Sequence, residues 1–337
     1  MKTWHLTQQT GPGALQLVDL PDPTPGPGEV LIHVRATALN YRDLMIAEDR
    51  YGLPCPLPLV PLSDGAGVIA TVGEGVTNWQ PGDRVAGTFF QRWESGPARP
   101  AIFASALGGA IDGMLATHVV LSAEGVISIP EHMSFEEAAT LPCAALTAWQ
   151  GLVTHGHVAA DQTVLVQGTG GVSLFGLQIA KMHGARVIII SSSDEKLARA
   201  RALGADDTIN YRTTPEWDQE ILRLTAGAGV DQVVEVGGRD TFAKSLRALA
   251  MNGTVSVIGG VSGFSTEVGL RDILGKNALI RGIFVGNREM FTAMNRALAR
   301  HRVQPVIDQV FPWSEAPAAY RHLASGAHFG KVVIAAP

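Results

Sequence analysis

The run Val164-Leu-Val-Gln-Gly168-Thr-Gly170-Gly171-Val-Ser173 has the residue types and spacing to hold a phosphate, because an apolar β-branched stretch breaks into glycines and then opens an apolar-periodic helix. The first glycine permits a tight strand-to-helix turn, the second lets backbone approach an anion, and a helix N-terminus offers unpaired N–H groups with partial positive charge. In G-x-G-x-x-G terms Ser173 replaces the third glycine and is still small enough for close helix–strand packing. The ligand this spacing points to is a dinucleotide pyrophosphate; a plain glycine turn is the alternative. An NAD site places an acidic residue about 20 positions beyond the first glycine to bind the ribose hydroxyls. Here that strand end reads Ser191-Ser192-Ser193, followed by Asp194, Glu195 and Lys196. Hydroxyls with a lysine in the next helix suit a 2′-phosphate, so the spacing favours NADP(H) over NAD(H), although Ser193 also serves as a helix N-cap.

The elements that must position these groups follow from periodicity. A strand is predicted over 163–167 and a helix from 171 to Met182, stopping at Gly184. Strands at 187–190, 207–211, 230–236, 253–258 and 278–285 then alternate with helices at 194–203, 215–225 and 241–250, which predicts a parallel sheet with helices on both faces. Residues 1–124 have a different texture. Glycine and proline punctuate short alternating runs such as 14–20 and 29–38, which suits a β-rich domain. Ser134 and Glu137 have capping-box spacing ahead of a helical stretch at 141–152. The C-terminal residues return to β character. The predicted division is therefore a discontinuous β-rich domain, 1–124 with 290–337, around a nucleotide-binding domain at 125–289.

Composition narrows the class. The chain has 337 residues, 46% hydrophobic and 17% charged, with a net charge of −5 and no basic blocks, which excludes a disordered or nucleic-acid-binding protein. No apolar run approaches the ~18 residues of a membrane span, and the N-terminus lacks a signal core. Cys55 and Cys143 are the only cysteines, which suits the cytoplasm and argues against a disulfide framework.

Several stretches together resemble the medium-chain dehydrogenase/reductase superfamily over nearly the whole chain. They are Pro25-Gly-Pro-Gly-Glu-Val-Leu-Ile32, Asn40-Tyr-Arg-Asp43, Asp64-Gly-Ala-Gly67 onward to Val76, Pro81-Gly-Asp-Arg-Val85, Ala139 to Trp149, and the glycine turn. The resemblance implies a GroES-like catalytic domain, a Rossmann cofactor domain, and an active site in the cleft between them. In the zinc enzymes of this superfamily a cysteine ligand stands three residues before an aspartate, where this chain has Asn40 before Asp43. The Gly-His-Glu element corresponds to Leu62-Ser63-Asp64, and only Cys143 falls at a ligand position. One thiol cannot form the three-ligand site of a catalytic zinc, and the lobe 89–113, which carries structural cysteines in zinc relatives, has none. No metal is expected.

The resemblance also implies the remaining contacts. Asn40 and Thr147 would approach the nicotinamide end; Thr169, Gly170, Gly171 and Val172 the pyrophosphate; Ser191, Ser192, Ser193, Lys196 and Tyr211 the 2′-phosphate. Val236 and Gly237 would lie on the adenosine side, Gly259 and Gly260 beside the nicotinamide ribose, Phe284 and Val285 against the carboxamide, and Lys331 would reach in from the C-terminal segment. Hydride transfer to an enone or quinone leaves an anionic oxygen needing donors. Asn40, Tyr41 and Ser63 stand where metal ligands or their neighbours would be, with Tyr41 also able to give a proton. Each also has a packing reading. The favoured function is reduction of a quinone or α,β-unsaturated carbonyl by NADPH, with a small-molecule partner such as a quinone, enone or aldehyde. An alcohol/carbonyl dehydrogenase and a non-catalytic NADPH-binding scaffold are the alternatives. The apolar strand 278–285, last in its sheet, suits edge pairing in a homodimer.

Overall fold

Along the strand Glu29–Leu39 the side chains of Val30, Ile32 and Val34 are fully buried while Leu31, His33 and Arg35 are not, the period-2 signature of a sheet with one face on a core. This strand is the centre of a seven-stranded sheet. In spatial order the strands are Ile307–Pro312, Lys331–Ala335, Glu29–Leu39, Asp64–Val72, Arg84–Gly87 and Val126–Ser128, with His118–Ser122 also paired to Glu29–Leu39. A separate antiparallel pair joins Lys2–Leu6 to Leu15–Asp19. The computed structural model describes residues 1–337, which divide into two compact units: Met1–Leu146 with Gly286–Pro337, and Thr147–Val285. No helix is long and apolar enough to cross a membrane.

These divisions differ from the boundaries expected at 124/125 and 289/290. The strand Val126–Ser128 pairs with Arg84–Gly87 and so belongs to the first sheet. The helix Arg288–His301 is held to it by Asn295 Nδ2, which donates to Ser128 O at 2.9 Å. The C-terminal part is also less purely β than expected. Its two strands, paired in parallel, are separated by the helix Ala316–Ala324, because parallel neighbours need a crossover.

The second unit is a six-stranded parallel sheet in the order Asp207–Asn210, Arg186–Ser191, Thr163–Gln167, Val230–Glu235, Leu249–Val257 and Leu279–Gly282. This is the doubly wound Rossmann order, in which ligands bind beyond the carboxyl ends of the two central strands where the winding reverses. Those two strands end at Gln167 and Glu235, and the turn at Gly168 follows directly. The last strand is shorter than the expected 278–285: only Leu279–Gly282 pairs, and all four of its residues are exposed.

A buried network locks the two strand ends. Gln167 Nε2 donates to Glu235 Oε2 at 2.7 Å, Gly238 N donates to Oε1 at 2.9 Å, and the Thr241 and Ser245 hydroxyls also donate to this carboxylate. Gln167 Oε1 in turn accepts the N–H groups of Val236 and Gly237, each at 3.2 Å. Removing the carboxylate would strand several buried donors at once. Glu235→Ala is therefore expected to lower the unfolding free energy by about 2–4 kcal/mol in a denaturant titration; a loss under about 1 kcal/mol would show that the network is not structural.

Candidate functional site

In the first unit, the short helix Tyr41–Ala47 begins beside the ends of three strands, and its first turn is closed by backbone and carboxylate bonds. Asp43 N donates to Asn40 O at 2.9 Å, and Asn40 N donates to Asp43 Oδ2 at 2.7 Å. Asn40 occupies the N-cap, and Asp43 at the third helical position completes a capping box with it. The Asn40 Oδ1 accepts from Lys331 Nζ at 2.5 Å, and the same ammonium donates to Leu39 O at 2.6 Å. Lys331 is only 2% exposed, and Asp64 Oδ2 lies 3.7 Å from its Nζ. Asp64 is fully buried: it accepts from Ser63 Oγ at 2.8 Å and from Cys143 N at 3.3 Å.

The segment ahead of Ser63 holds strain. Leu62 has a φ of 69°, a left-handed conformation unusual for a side-chain-bearing residue, and its side chain is fully buried. The chain of Gly113 packs so closely on Leu62 O that a Cβ there would come within 2.0 Å. Strain of this kind persists only where surroundings over-determine it, and the next two residues are Ser63 and Asp64, the latter beside Lys331.

Asn40, Ser63 and Cys143, which the resemblance groups as ligand-equivalent positions, lie in one cluster with Lys331, joined through Asp64 and the Lys331 ammonium. Ser63 is fully buried and gives its hydroxyl to Asp64, so it supports the carboxylate. Lys331 reaches in from the C-terminal segment, and its ammonium meets the Leu39 carbonyl and the Asn40 amide oxygen. Tyr41 behaves oppositely. It is 39% exposed, and its hydroxyl, after the Glu48 carboxylate, helps hold the Arg50 guanidinium above its ordinary pKa.

The donor set does not fit zinc. No group of three or more His, Cys, Asp or Glu side chains is arranged to hold a metal ion, and an ammonium already lies beside Asp64. Burial first, and then the Asp64 carboxylate, push the Cys143 thiol well above its ordinary pKa. The lobe 89–113 is self-packed: Phe90 meets Trp93 and Phe103 edge-on at centroid distances of 5.9 and 5.7 Å, and Trp93 Nε1 donates to Gly96 O.

Arg42 and Asp43, at the start of the same helix, are both buried. Arg42 donates to Leu107 O at 3.0 Å and lies over the rings of Phe89 and Tyr51, with Asp43 Oδ1 3.6 Å away. Burial pushes the Asp43 carboxyl up from its ordinary 3.8 to about 6, with Arg42 working against the rise. The sequence signal was weak, since a charged pair at a helix start usually faces solvent.

In the second unit the strand-to-helix turn has the conformation a phosphate cradle needs. Gly168 has a φ of 72°, and Gly170 is the N-cap of the helix Gly171–Met182 with no side chain capping it, which leaves first-turn N–H groups for an anion. Ser173 Oγ donates back to Gln167 O at 2.6 Å. At the neighbouring strand end, Tyr211 N donates to Ser191 O at 3.0 Å, bringing Tyr211 beside Ser191. Ser193 caps the helix Asp194–Ala202 by accepting from Lys196 N, and Asp194 Oδ1 accepts from Asn210 Nδ2. Thr147 and Thr169 are buried near the start of the unit and in the turn.

The later glycines have packing roles of their own. A Cβ on Gly237 would meet Thr241 Oγ1 at 2.4 Å, and one on Gly260 the Phe264 ring at 2.7 Å. Val261 N and Ser262 N donate to Val236 O and Gly237 O, so Gly259 and Gly260 sit in a loop stitched to the neighbouring strand end. Phe284 is exposed, and Val285 is buried with a φ of 54°, an outlier for a β-branched residue.

The Asp43 shift gives a pH dependence whose sign is fixed. With a folded pKa near 6 against 3.8 unfolded, the native state holds the extra proton between those values, so the contribution is fully present below 3.8 and lost as pH rises through 6. Stability of the native chain relative to Asp43→Asn is expected to fall by about 3 kcal/mol between pH 3.5 and pH 7 in urea titrations. Parallel stability curves for the two proteins would contradict the assignment.

Comparison with known proteins places these features in context. Residues 26–131 match the family model for the alcohol dehydrogenase GroES-like domain, and residues 171–300 that for a zinc-binding dehydrogenase. A zinc-type alcohol dehydrogenase-like protein of Schizosaccharomyces pombe is 47% identical over 314 residues, covering 91% of each chain. A quinone oxidoreductase of Rattus norvegicus is 29% identical over 99% of this chain and 97% of its own. Among solved structures, a putative alcohol dehydrogenase from Sinorhizobium meliloti superposes with a TM-score of 0.93 at 42% identity over the whole of both chains. A mycobacterial protein complexed with NADPH superposes with a TM-score of 0.84 at 28% identity, also over both whole chains.

Proposed function

Since the chain belongs to the medium-chain dehydrogenase/reductase superfamily of oxidoreductases, we propose that it reduces a quinone or α,β-unsaturated carbonyl with NADPH and without a catalytic metal. The observation that carries this reading is the donor set around Asp64, where the Lys331 ammonium, the Ser63 hydroxyl and the Cys143 N–H gather, with the Asn40 amide on the lysine. A simple alcohol must be held as an alkoxide before it gives up hydride, which favours a metal; a conjugated acceptor spreads its developing charge and needs only donors.

NADPH, when bound, supplies a hydride. The chain's own groups would do the rest. The uncapped turn at Gly170–Val172 would hold the pyrophosphate by backbone N–H groups, with Thr169 beside it. Ser191, Ser192 and Lys196 would meet the 2′-phosphate, Tyr211 would flank it, and Ser193 would act by capping the helix. Val236, Gly237, Gly259 and Gly260 would shape the adenosine and ribose walls, with Thr147, Phe284 and Val285 toward the nicotinamide. Asn40 would donate to a carbonyl oxygen. As hydride adds to the β-carbon of an enone, the double-bond electron pair moves toward that oxygen, and a proton from Tyr41 or water then completes the α-carbon. The two free thiols fit the reducing cytoplasm.

An acceptor panel run with NADPH and NADH tests the reading. NADPH oxidation with a quinone or an enone is expected, unchanged by chelator, with a higher kcat/KM than NADH. Activity confined to primary alcohols and abolished by chelation would overturn it, and tight NADPH binding without turnover on any acceptor would favour a scaffold. In the same panel Tyr41→Phe is expected to lower kcat at least ~10-fold if Tyr41 gives the proton, and an unchanged rate would assign the proton to water.

A homodimer completes the proposal. Leu279–Gly282 is an exposed edge strand, and Leu270, Leu274 and Phe264 are exposed on the same unit, a combination that a second copy would cover. Sedimentation at micromolar concentration should give twice the chain mass of 35.6 kDa. A monomer there would refute the pairing.

A further inference from the structure

Lys331 is buried where a charged group is costly, and its surroundings account for all three of its donor directions. Two go to Leu39 O and Asn40 Oδ1, and the third side faces the Asp64 carboxylate at 3.7 Å. An ammonium has donors and no acceptor. Only the oxygen of the Asn40 amide can therefore face it, so of the two ways the amide plane can be turned, one is excluded. The nitrogen must lie on the far side.

That nitrogen is the unusual atom of the cluster. Asn40 is 8% exposed, and its Nδ2 is buried with no hydrogen-bond partner. A buried donor left unpaired is unfavourable, and native proteins carry few of them.

We propose that Lys331 is a positioning residue that sets the Asn40 amide so that Nδ2–H2 is presented to a carbonyl oxygen of a bound ligand. Asp64 neutralises the ammonium, and Ser63 Oγ and Cys143 N–H hold Asp64 in turn. The carbonyl belongs either to the hydride acceptor or to the carboxamide of the nicotinamide, which offer the same chemistry to an amide donor. This rests on the reductase reading for its ligand, but the orientation of the amide does not depend on turnover.

The test compares the full-length protein with Lys331→Met, Asn40→Ala, Asn40→Asp and the Lys331→Met/Asn40→Ala double variant. NADPH Kd is read by fluorescence, kcat with the best acceptor of the panel, and the Asn40 side-chain N–H2 signals in asparagine-labelled ¹⁵N spectra. Lys331→Met should shift those signals and lower either NADPH affinity or kcat by about 10- to 100-fold. Asn40→Ala should show the same loss in the same parameter, and the double variant should be no worse than Asn40→Ala alone, as expected for residues acting as a unit. Asn40→Asp keeps an acceptor for the lysine but has no N–H2, so it should match Asn40→Ala in function. A loss in Kd assigns the cofactor carboxamide; a loss in kcat alone assigns the acceptor.

Unshifted Asn40 signals in Lys331→Met, or losses that multiply in the double variant, would overturn the proposal. If Lys331→Met fails to fold because Asp64 is left as a lone buried charge, Lys331→Met/Asp64→Asn removes both charges and is read in the same way. If no acceptor is turned over at all, the reductase reading fails while the spectra and the NADPH affinity still decide the role of Lys331.

Discussion

The contact on which the first unit depends is the buried pair of Lys331 and Asp64, because it joins strands far apart in sequence at a single point. Lys331 opens the strand Lys331–Ala335, which pairs with Glu29–Leu39, and Asp64 opens the strand on the other side of Glu29–Leu39. The C-terminal residues are thereby fixed into a sheet built mainly from the N-terminal part of the chain. A buried ion pair contributes little net stability once desolvation is counted, but breaking one side of it is strongly unfavourable. The pair therefore acts less as a source of stability than as a constraint on register: a shift of one residue in either strand would separate the charges and reverse which side chains face the core.

A comparable constraint organises the second unit. Glu235 and Gln167 end the two central strands and share their polar atoms with Ser245, Thr241 and the backbone of 236–238. The glycine turn starts one residue after Gln167, so its position relative to the next strand end is set by side-chain amide and carboxylate bonds as well as by the sheet. Both units place a buried carboxylate beneath the residues that would meet a ligand. In each, the carboxylate is satisfied from several directions.

The family model named for zinc binding and the residues of this chain point in different directions, and the difference is physical. A fold can be kept while its metal ligands are exchanged, provided that the charge and hydrogen bonds of the vacated positions are met by other groups. Asn40, Ser63 and Lys331 meet them here. The cation of the cluster is carried by a side chain, and the anionic partner Asp64 is retained.

Much was legible in the sequence because it depends on local rules. The strand and helix flanking the glycine turn, Thr163–Gln167 and Gly171–Met182, follow from apolar periodicity and glycine placement, and the capping box of Ser134 and Glu137 follows from spacing. Side-chain direction is a different kind of fact. Nothing local says that Ser63 gives its hydroxyl to Asp64, that Asn40 gives its amide oxygen to a lysine 291 residues away, or that Val126–Ser128 joins the first sheet. Hydrogen bonds between distant segments exist only once strands are paired and water is excluded, and burial then decides which polar atoms are satisfied. The sequence by itself determined the classes of element and the kind of chemistry; the tertiary structure decided which atoms face one another, because long-range packing, not propensity, sets the direction of a buried polar group.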